Sequence, residues 1–327
     1  MSRWQRFPRV LVRIALHATL TLAAVVVASF VLAELAPGDV VDTIIAEMGS
    51  ASPETAASLR ELLGLNDGVA ERLAHYVAGL LTGNLGFSPI YNLPVAQLVF
   101  GRLPASLALA GSAMLIALVV GTALGVLMAA YRERLPAKML GSLLVIVYSI
   151  PGFWTGLMLL VVFSVWLDWF PVGGMTTLGE SLTGSARVLD FLHHLLLPAV
   201  ALSLFHTAIY ARLVSTAMTE VAAQDYVRTA LAKGASETTI LWKHMLRNAL
   251  LPLTAVAGNN IAHIASGAVT VEAVFDWSGI GRLAFDAVMR RDFSVVTGVL
   301  LVSALFVVVA NALVDVLQAW IDPRISS

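Results

Sequence analysis

Residues 103–131 read LPASLALAGSAMLIALVVGTALGVLMAAY and contain no Asp, Glu, Lys or Arg. A helix needs about 20 mostly apolar residues to cross the hydrocarbon core of a bilayer. This stretch therefore predicts a membrane-spanning helix that is tilted, kinked or extended past the bilayer. The whole chain has the same character, because 58% of its 327 residues are hydrophobic, 13% are charged and its mean hydropathy is +0.85.

Composition and charge exclude several other classes of protein. A soluble domain this apolar would lack the polar surface that keeps globular proteins in solution. The chain has no cysteine, which excludes a disulfide, a thiolate metal site and a cysteine nucleophile. Its net charge of −1 argues against nucleic-acid binding. We therefore expect an all-α polytopic membrane protein.

Six stretches free of acidic and basic residues are long and apolar enough to cross the membrane. The predicted spans are 14–33, 103–131, 139–167, 191–211, 248–271 and 293–314. Pro151 interrupts the third span, and we expect a kink there because proline removes a backbone hydrogen bond from a helix.

The distribution of basic residues predicts the orientation of the spans. Thirteen of the 20 Lys and Arg residues fall on the side of the amino terminus and seven on the other side. Cytoplasmic segments carry the excess of positive charge, so both termini are predicted to be cytoplasmic. The main cytoplasmic segments are 1–13, 212–247 and 315–327. The extracytoplasmic connections are 34–102, 168–190 and 272–292, with short amphipathic helices expected between Pro53 and Gly83.

The most informative connection lies within residues 220–252, EVAAQDYVRTALAKGASETTILWKHMLRNALLP. The pattern predicts two helices separated by Gly234, which suits a left-handed turn position. Ser236 can cap the second helix, and Glu237 in its first turn suits the helix dipole. Two interpretations remain open, a compact pair of helices that docks on a partner and a basic amphipathic loop that lies on anionic lipid.

This connection resembles the EAA loop of ABC importer permeases of the dipeptide/oligopeptide/nickel class. The resemblance rests on Asp225 to Gly234 (DYVRTALAKG) and on Leu251-Pro252, with Arg228-Thr229-Ala230 where the general loop has Glu-Ala-Ala. Further motifs resemble the family in the same order along nearly the whole chain. They are Ala36 to Asp39, Leu63 to Leu65, Gly83 to Gly86, Arg102 to Ala105, Ile150 to Trp154, Leu197 to Ala199, Val271 to Phe275, Gly279 to Arg282 and Asp322 to Arg324.

The resemblance implies a type I ABC importer permease fold, with the permease domain over about residues 100–320, in a bacterial cytoplasmic (inner) membrane. It implies that the chain forms half of a translocation pathway for di- or oligopeptides, with nickel or a metal chelate as the alternative cargo. The implied partners are a second, related permease subunit, two cytoplasmic ATPase subunits and an extracytoplasmic substrate-binding protein. The chain has no Gly-x-x-x-x-Gly-Lys-Ser/Thr phosphate loop, so ATP and Mg²⁺ are expected on the ATPases and no cofactor is expected here.

The resemblance also implies which residues couple the permease to the ATPases. They are Asp225, Tyr226, Arg228, Thr229, Ala230, Lys233, Gly234, Ala235, Ser236 and Glu237.

Polar residues inside the predicted spans are candidates for the translocation pathway, because intramembrane polar groups are costly and often line a pathway. Asn259 and His263 share a helix face at i, i+4, and Asn260 lies beside them. Pro151 and Trp154 of the third span complete the set of candidates. The alternative is hydrogen bonding between helices without substrate contact.

No catalytic or metal-ligating residue is predicted. His193 and His194 are adjacent, so their side chains point apart on a helix, and packing or anchoring at the membrane edge is expected of them. An intramembrane protease and a passive channel remain as alternatives. The chain has neither Gly-x-Ser-x-Gly nor His-Glu-x-x-His, and a channel would not explain the helix–glycine–helix pattern.

Overall fold

The computed structural model of the protein describes residues 3–35, 41, 45, 52–62, 66–179 and 182–321. Within these ranges the structure describes only the backbone of some residues. They are 3–15, 17, 33, 62, 259, 261–267, 315 and 317–321. The motifs at Ala36 to Asp39, Leu63 to Leu65 and Asp322 to Arg324 also lie outside the described residues.

The described chain is built almost entirely of helices, as its composition predicts. In chain order they are α1 (Arg3–Leu35), α2 (Pro53–Leu62), α3 (Val69–Leu81), α4 (Val95–Ala130), α5 (Leu135–Ser149), α6 (Gly152–Leu159), α7 (Gly184–Ala222), α8 (Asp225–Ala232), α9 (Glu237–Thr239), α10 (Arg247–Val274), α11 (Ile280–Met289) and α12 (Phe293–Ile321). Two π-helical segments, Leu160–Trp166 and Ile240–Leu246, continue α6 and α9. A short antiparallel hairpin, β1 (Phe87–Ser88) and β2 (Leu93–Pro94), precedes α4.

All six predicted spans lie on helices, but fewer than six helices are long and apolar enough to qualify as spans. Among the described residues, α4, α7 and the Phe293–Val314 part of α12 each qualify alone. The pair formed by α5 and by α6 with its π-helical segment qualifies together, which gives three spans or up to four. Ala18–Leu32 in α1 is apolar but shorter. The multi-pass character is therefore confirmed, and the number six stays a prediction.

The third predicted span is broken rather than gently kinked. Ser149 ends α5, Pro151 stands immediately before α6, and the two helical pieces meet at 106°. The residue before a proline is driven out of the helical region by the proline ring. Ile150 accordingly adopts an extended conformation at φ −80° and ψ 133°. The predicted position of the distortion is correct, and its size exceeds a usual proline kink.

Contacts between Cα atoms divide the chain into two compact units. The first comprises Met1–Pro104 and Leu283–Ala312. In it α3 lies against the end of α1, where Arg72 pairs with Glu34 at 2.5 Å. The hairpin is joined to the start of α12, because the buried Ser88 hydroxyl donates to the buried Asp292 carboxylate.

The second unit comprises Ala105–Arg282 and Leu313–Ile325 and is organised around α7. This helix packs against α5, α6 and α10 and is buried over much of its length. Two glycines of α4 meet it closely. A Cβ added at Gly125 would lie 2.6 Å from the Ala211 carbonyl oxygen, and one at Gly121 would lie 2.9 Å from the Tyr210 Cβ. Small residues at this spacing let two helix backbones approach each other.

Candidate functional site

The helix–glycine–helix segment comprises residues 225–246, which form α8, the turn at Gly234, α9 and the following π-helical segment. Its turn is a Schellman motif. In this helix ending a residue in the left-handed conformation allows two backbone N–H groups to bond to the last carbonyls of the helix. Gly234 has a φ of +81°. Its N–H donates to the Leu231 carbonyl at 2.9 Å, and the Ala235 N–H donates to the Ala230 carbonyl at 3.1 Å. The left-handed turn predicted at Gly234 is therefore confirmed.

The second helix of the segment begins with the predicted cap. The Ser236 hydroxyl accepts a hydrogen bond from the Thr239 N–H at 3.3 Å, and Glu237 lies in the first turn. A serine in this position satisfies a backbone donor that has no partner within the helix. Turn and cap together join α8 to α9 through four intervening residues, 233–236.

Apolar side chains hold the segment against the rest of the second unit. Val227 of α8 and Ile240 of the π-helical segment are buried. Leu241 and Met245 pack against a buried cluster that includes Met218 of α7. The face that carries Ile240, Leu241 and Met245 is therefore the one by which the segment is anchored.

The opposite faces of the segment are open. Among the residues predicted to couple, the exposed ones are Asp225, Tyr226, Arg228, Thr229, Lys233, Gly234, Ser236 and Glu237. Ala230 and Ala235 are half-buried. The exposed set carries both signs of charge and surrounds a turn whose glycine has free space for a Cβ. This arrangement is suited to contact with another macromolecule.

The pathway candidates are not brought together as one group. Asn260 is half-buried, and its Nδ2 lies 3.4 Å from the hydroxyl of Tyr210, which is itself fully buried and 3.5 Å from the Met114 sulfur. Pro151 and Trp154 are exposed at the start of α6. The side chains of Asn259 and His263 lie outside the described residues. For Asn260 the contact with Tyr210 matches the alternative of hydrogen bonding between helices.

A buried cluster around Glu272 was not predicted from the sequence. The Glu272 side chain is fully buried, and its carboxylate accepts hydrogen bonds from the Ser106 hydroxyl at 2.6 Å and the Arg282 N–H at 2.9 Å. The Ser106 hydroxyl in turn accepts from the Ile280 N–H at 2.8 Å. A carboxylate at this helix start suits the dipole of α11. The sequence signal was Gly279 and Gly281, where an added Cβ would come within 2.9 Å of this carboxylate.

The indole of Trp277 completes this cluster. Trp277 is fully buried, and its Nε1–H donates to the Ala105 carbonyl at 2.9 Å. The turn that follows α10 is thereby joined to the part of α4 that carries Ser106. We call Ser106, Glu272, Trp277, Ile280 and Arg282 the glutamate cluster.

The two adjacent histidines have structural contacts. A ring nitrogen of His193 lies 2.8 Å from the Trp169 carbonyl oxygen, and one of His194 lies 2.9 Å from the Asp190 carbonyl oxygen. Both carbonyls belong to the connection before α7 or to its first turns. These contacts agree with a packing role near the amino-terminal end of α7.

The described residues thus form a helical protein with three or up to four apolar spans and an exposed helix–glycine–helix segment, and the sequence has no Gly-x-x-x-x-Gly-Lys-Ser/Thr phosphate loop. Residues 121–327 match the family described as binding-protein-dependent transport system inner membrane component. The chain belongs to this family of ABC importer permeases. It is therefore a transporter subunit and not an enzyme, and in this family ATP hydrolysis belongs to partner ATPases.

Curated relatives align with almost the whole chain. A peptide permease protein of Brucella ovis is 38% identical over 305 residues, covering 93% of this chain and 94% of the relative. The dipeptide transport system permease protein DppB of Escherichia coli K12 is 35% identical, with 93% and 95% covered. The oligopeptide transport system permease protein AppB of Bacillus subtilis is 36% identical, with the same coverage.

A solved structure supports the fold. One chain of the inward-facing MetNI methionine ABC transporter is similar with a TM-score of 0.53 at 19% sequence identity. The similarity covers 69% of this chain and 96% of that chain. At this level of identity the match shows a shared fold, which is that of an ABC importer permease.

Proposed function

We propose that this subunit forms half of the translocation pathway of an ATP-driven importer of di- or oligopeptides. The observation that carries the proposal is the alignment over 93% of the chain with permeases named for peptides, dipeptides and oligopeptides. Because the alignment covers nearly the full length of both chains, it includes the spans as well as the connection between α7 and α10.

The helix–glycine–helix segment is the proposed docking element for the ATPases. Its support is the exposed Schellman turn at Gly234, the capped helix that follows, and an anchored apolar face behind them. Movement of a docked ATPase would act on a pair of helices that leads through the π-helical segment Ile240–Leu246 into α10. ATP and Mg²⁺ would be bound by those ATPases and not by this chain.

The remaining parts of the assembly are proposed from the family. The subunit pairs with a second, related permease, two ATPase subunits serve the pair, and an extracytoplasmic binding protein delivers the substrate. Six spans with both termini in the cytoplasm fit the helices over all six predicted ranges and the distribution of basic residues. The polar residues Asn259, Asn260 and His263 and the break at Pro151 and Trp154 are the proposed contributions of this chain to the pathway.

The test is reconstitution of the whole complex, with its own permease partner, ATPases and binding protein, in proteoliposomes. We expect ATP-dependent uptake of a labelled dipeptide, reduced by excess unlabelled di- or tripeptide and unchanged by nickel salt or a nickel chelate. Vesicles that contain a hydrolysis-deficient ATPase are the control. Nickel uptake that peptides do not reduce would contradict the peptide assignment while leaving the importer assignment in place.

A further inference from the structure

One contact joins the start of the helix–glycine–helix segment to the start of α10. Asn248, the second residue of α10, donates from Nδ2 to the Tyr226 hydroxyl at 3.0 Å. Tyr226 is the second residue of α8, so the hydrogen bond spans 22 positions of the chain. The same Nδ2 also lies 2.7 Å from the His244 carbonyl oxygen. A side-chain amide carries two N–H donors, so one group can serve both acceptors.

Tyr226 contacts the base of α10 through its ring as well as through its hydroxyl. The Tyr226 and His244 rings lie 6.4 Å apart between centroids at an interplanar angle of 46°. This separation is within the range of about 4.5–7 Å at which aromatic pairs attract each other. His244 belongs to the π-helical segment that leads into α10. Tyr226 is therefore held by two neighbouring turns of the helix that enters the fifth predicted span.

The covalent connection between α8 and α10 is less direct than the Tyr226–Asn248 hydrogen bond. It passes through the left-handed Gly234, a position with no heavy atom within 4 Å of an added Cβ, and then through α9 and seven π-helical residues. A displacement of α8 would otherwise reach α10 along this route. The Tyr226–Asn248 hydrogen bond links the two helices directly, from side chain to side chain.

We propose that Tyr226 and Asn248 form a latch that makes the exposed helix α8 and the base of α10 move as one body. Tyr226 is then a positioning residue, and it contacts neither substrate nor nucleotide. The inference rests on the proposed docking function of the segment and adds the residues that carry the motion onward. Beyond the latch, α10 continues to Asn260 and its contact with Tyr210 of α7.

The first test measures coupling in the reconstituted complex. Tyr226→Phe removes the hydroxyl and keeps the ring, and Asn248→Ala removes the amide. In both variants we expect the substrate transported per ATP hydrolysed to fall about two- to tenfold at equal amounts of bound ATPase, the range expected for one lost hydrogen bond. Asn248 is not among the residues predicted to couple, so Asn248→Ala should also keep ATPase recovery and basal hydrolysis near wild type. Because the two residues act as a pair, the double variant should be no worse than either single variant.

Ser142→Ala is the matched control, because Ser142 lies outside the proposed docking segment. Ser142 is exposed on α5, and its hydroxyl donates to the Lys138 carbonyl within that helix. The variant removes one exposed hydroxyl without breaking a link to α10, so transport per ATP should remain at the wild-type value. Wild-type ratios in both Tyr226→Phe and Asn248→Ala would overturn the latch. Loss of ATPase recovery in proportion to transport would also overturn it, because Tyr226 would then be a docking contact.

A second measurement does not depend on the identity of the substrate. The chain has no cysteine, so spin labels can be placed at Arg228→Cys on α8 and Thr254→Cys on α10, both of which are exposed. We expect a narrow distance distribution that broadens with Tyr226→Phe and not with Ser142→Ala. An unchanged width in Tyr226→Phe would reject the latch, even in a complex that transports no peptide and so contradicts the proposed function.

Discussion

Gly234 has the backbone conformation that most limits what can replace it in the helix–glycine–helix segment. At a φ of +81° an L-residue is strained by roughly 1–2 kcal/mol, and a β-branched residue by more. We expect Gly234→Val to leave the membrane helices inserted and to weaken ATPase docking or its response to substrate. The measurement is ATPase recovery and substrate-stimulated hydrolysis in the reconstituted complex.

The matched control at this position is Gly234→Asn, because Asn adopts the left-handed conformation more readily than other residues. It should keep most of the docking and stimulation. An added Cβ has no neighbour within 4 Å, so any difference between Val and Asn reflects the backbone or the docked surface and not a collision inside the chain. Normal behaviour of Gly234→Val would favour the interpretation of the segment as a loop on anionic lipid.

Gly279 is restricted for the opposite reason, since its neighbour is close. An added Cβ would lie 2.3 Å from the carboxylate carbon of Glu272, whose hydrogen bonds fix that carboxylate in place. We expect Gly279→Ala to displace it and to lower the free energy of unfolding by about 1–3 kcal/mol, the range for a buried group that loses its partner. Thermal unfolding of the detergent-solubilised protein measures this.

Gly152→Ala is the control for that experiment, because Gly152 is exposed and no heavy atom lies within 4 Å of its added Cβ. It should unfold at nearly the wild-type temperature. Equal losses in both variants would show that the glutamate cluster tolerates displacement and does not stabilise the turn after α10.

The local features of the site could be predicted from the sequence, and its pairings between distant residues could not. Gly234 and Ser236 act within a few residues of themselves, so their turn and cap could be inferred from the sequence. Glu272 pairs with Ser106, 166 positions away, and Asn248 pairs with Tyr226 across the turn. Such partners depend on helix packing, which the residue pattern of a single sequence does not reveal.

At the scale of helices, the crossing of α4 and α7 depends on the glycines at 121 and 125. An added Cβ at Gly125 meets the Ala211 carbonyl oxygen at 2.6 Å, and a backbone atom cannot rotate away as a side chain can. Overpacking of this kind costs typically about 1–3 kcal/mol. We expect Gly125→Ala to lower the thermal stability of the protein in detergent.

Gly111 of the same helix provides the comparison, because an added Cβ there meets nothing within 4 Å. Gly111→Ala should be neutral or stabilising by up to about 1 kcal/mol, the difference in helix propensity between the two residues. A Gly125→Ala variant as stable as Gly111→Ala would mean that α4 and α7 separate without cost.

The elements themselves could be predicted unevenly from the sequence. Charge-free stretches located the helices because burial in lipid demands apolar residues throughout. The same criterion could not show that the helices extend past the predicted spans, as α7 does from Gly184 to Ala222. No distinguishing residue pattern marks the π-helical segments at Leu160–Trp166 and Ile240–Leu246, so the structure alone reveals them.

For the molecule as a whole, orientation in the membrane is the property to test. The excess of basic residues predicts that Ser58 faces outward and Thr238 inward, and both side chains are exposed. In this cysteine-free chain, Ser58→Cys should react with a membrane-impermeant maleimide in intact cells, and Thr238→Cys should react only after the membrane is opened. Labelling of position 238 with protection of position 58 would reverse the orientation.

The break at Pro151 bears on the abundance of the subunit in the cell. The first N–H groups of α6 and the last carbonyls of α5 have no partners within their helices, and Pro151 provides no side-chain cap. Residues 151–154 are exposed in this chain, and unpaired backbone groups at membrane depth cost several kcal/mol each when they face lipid. A subunit made in excess of its partners would hold these groups against hydrocarbon. Its abundance should therefore follow that of its partners, with the surplus removed by membrane proteases.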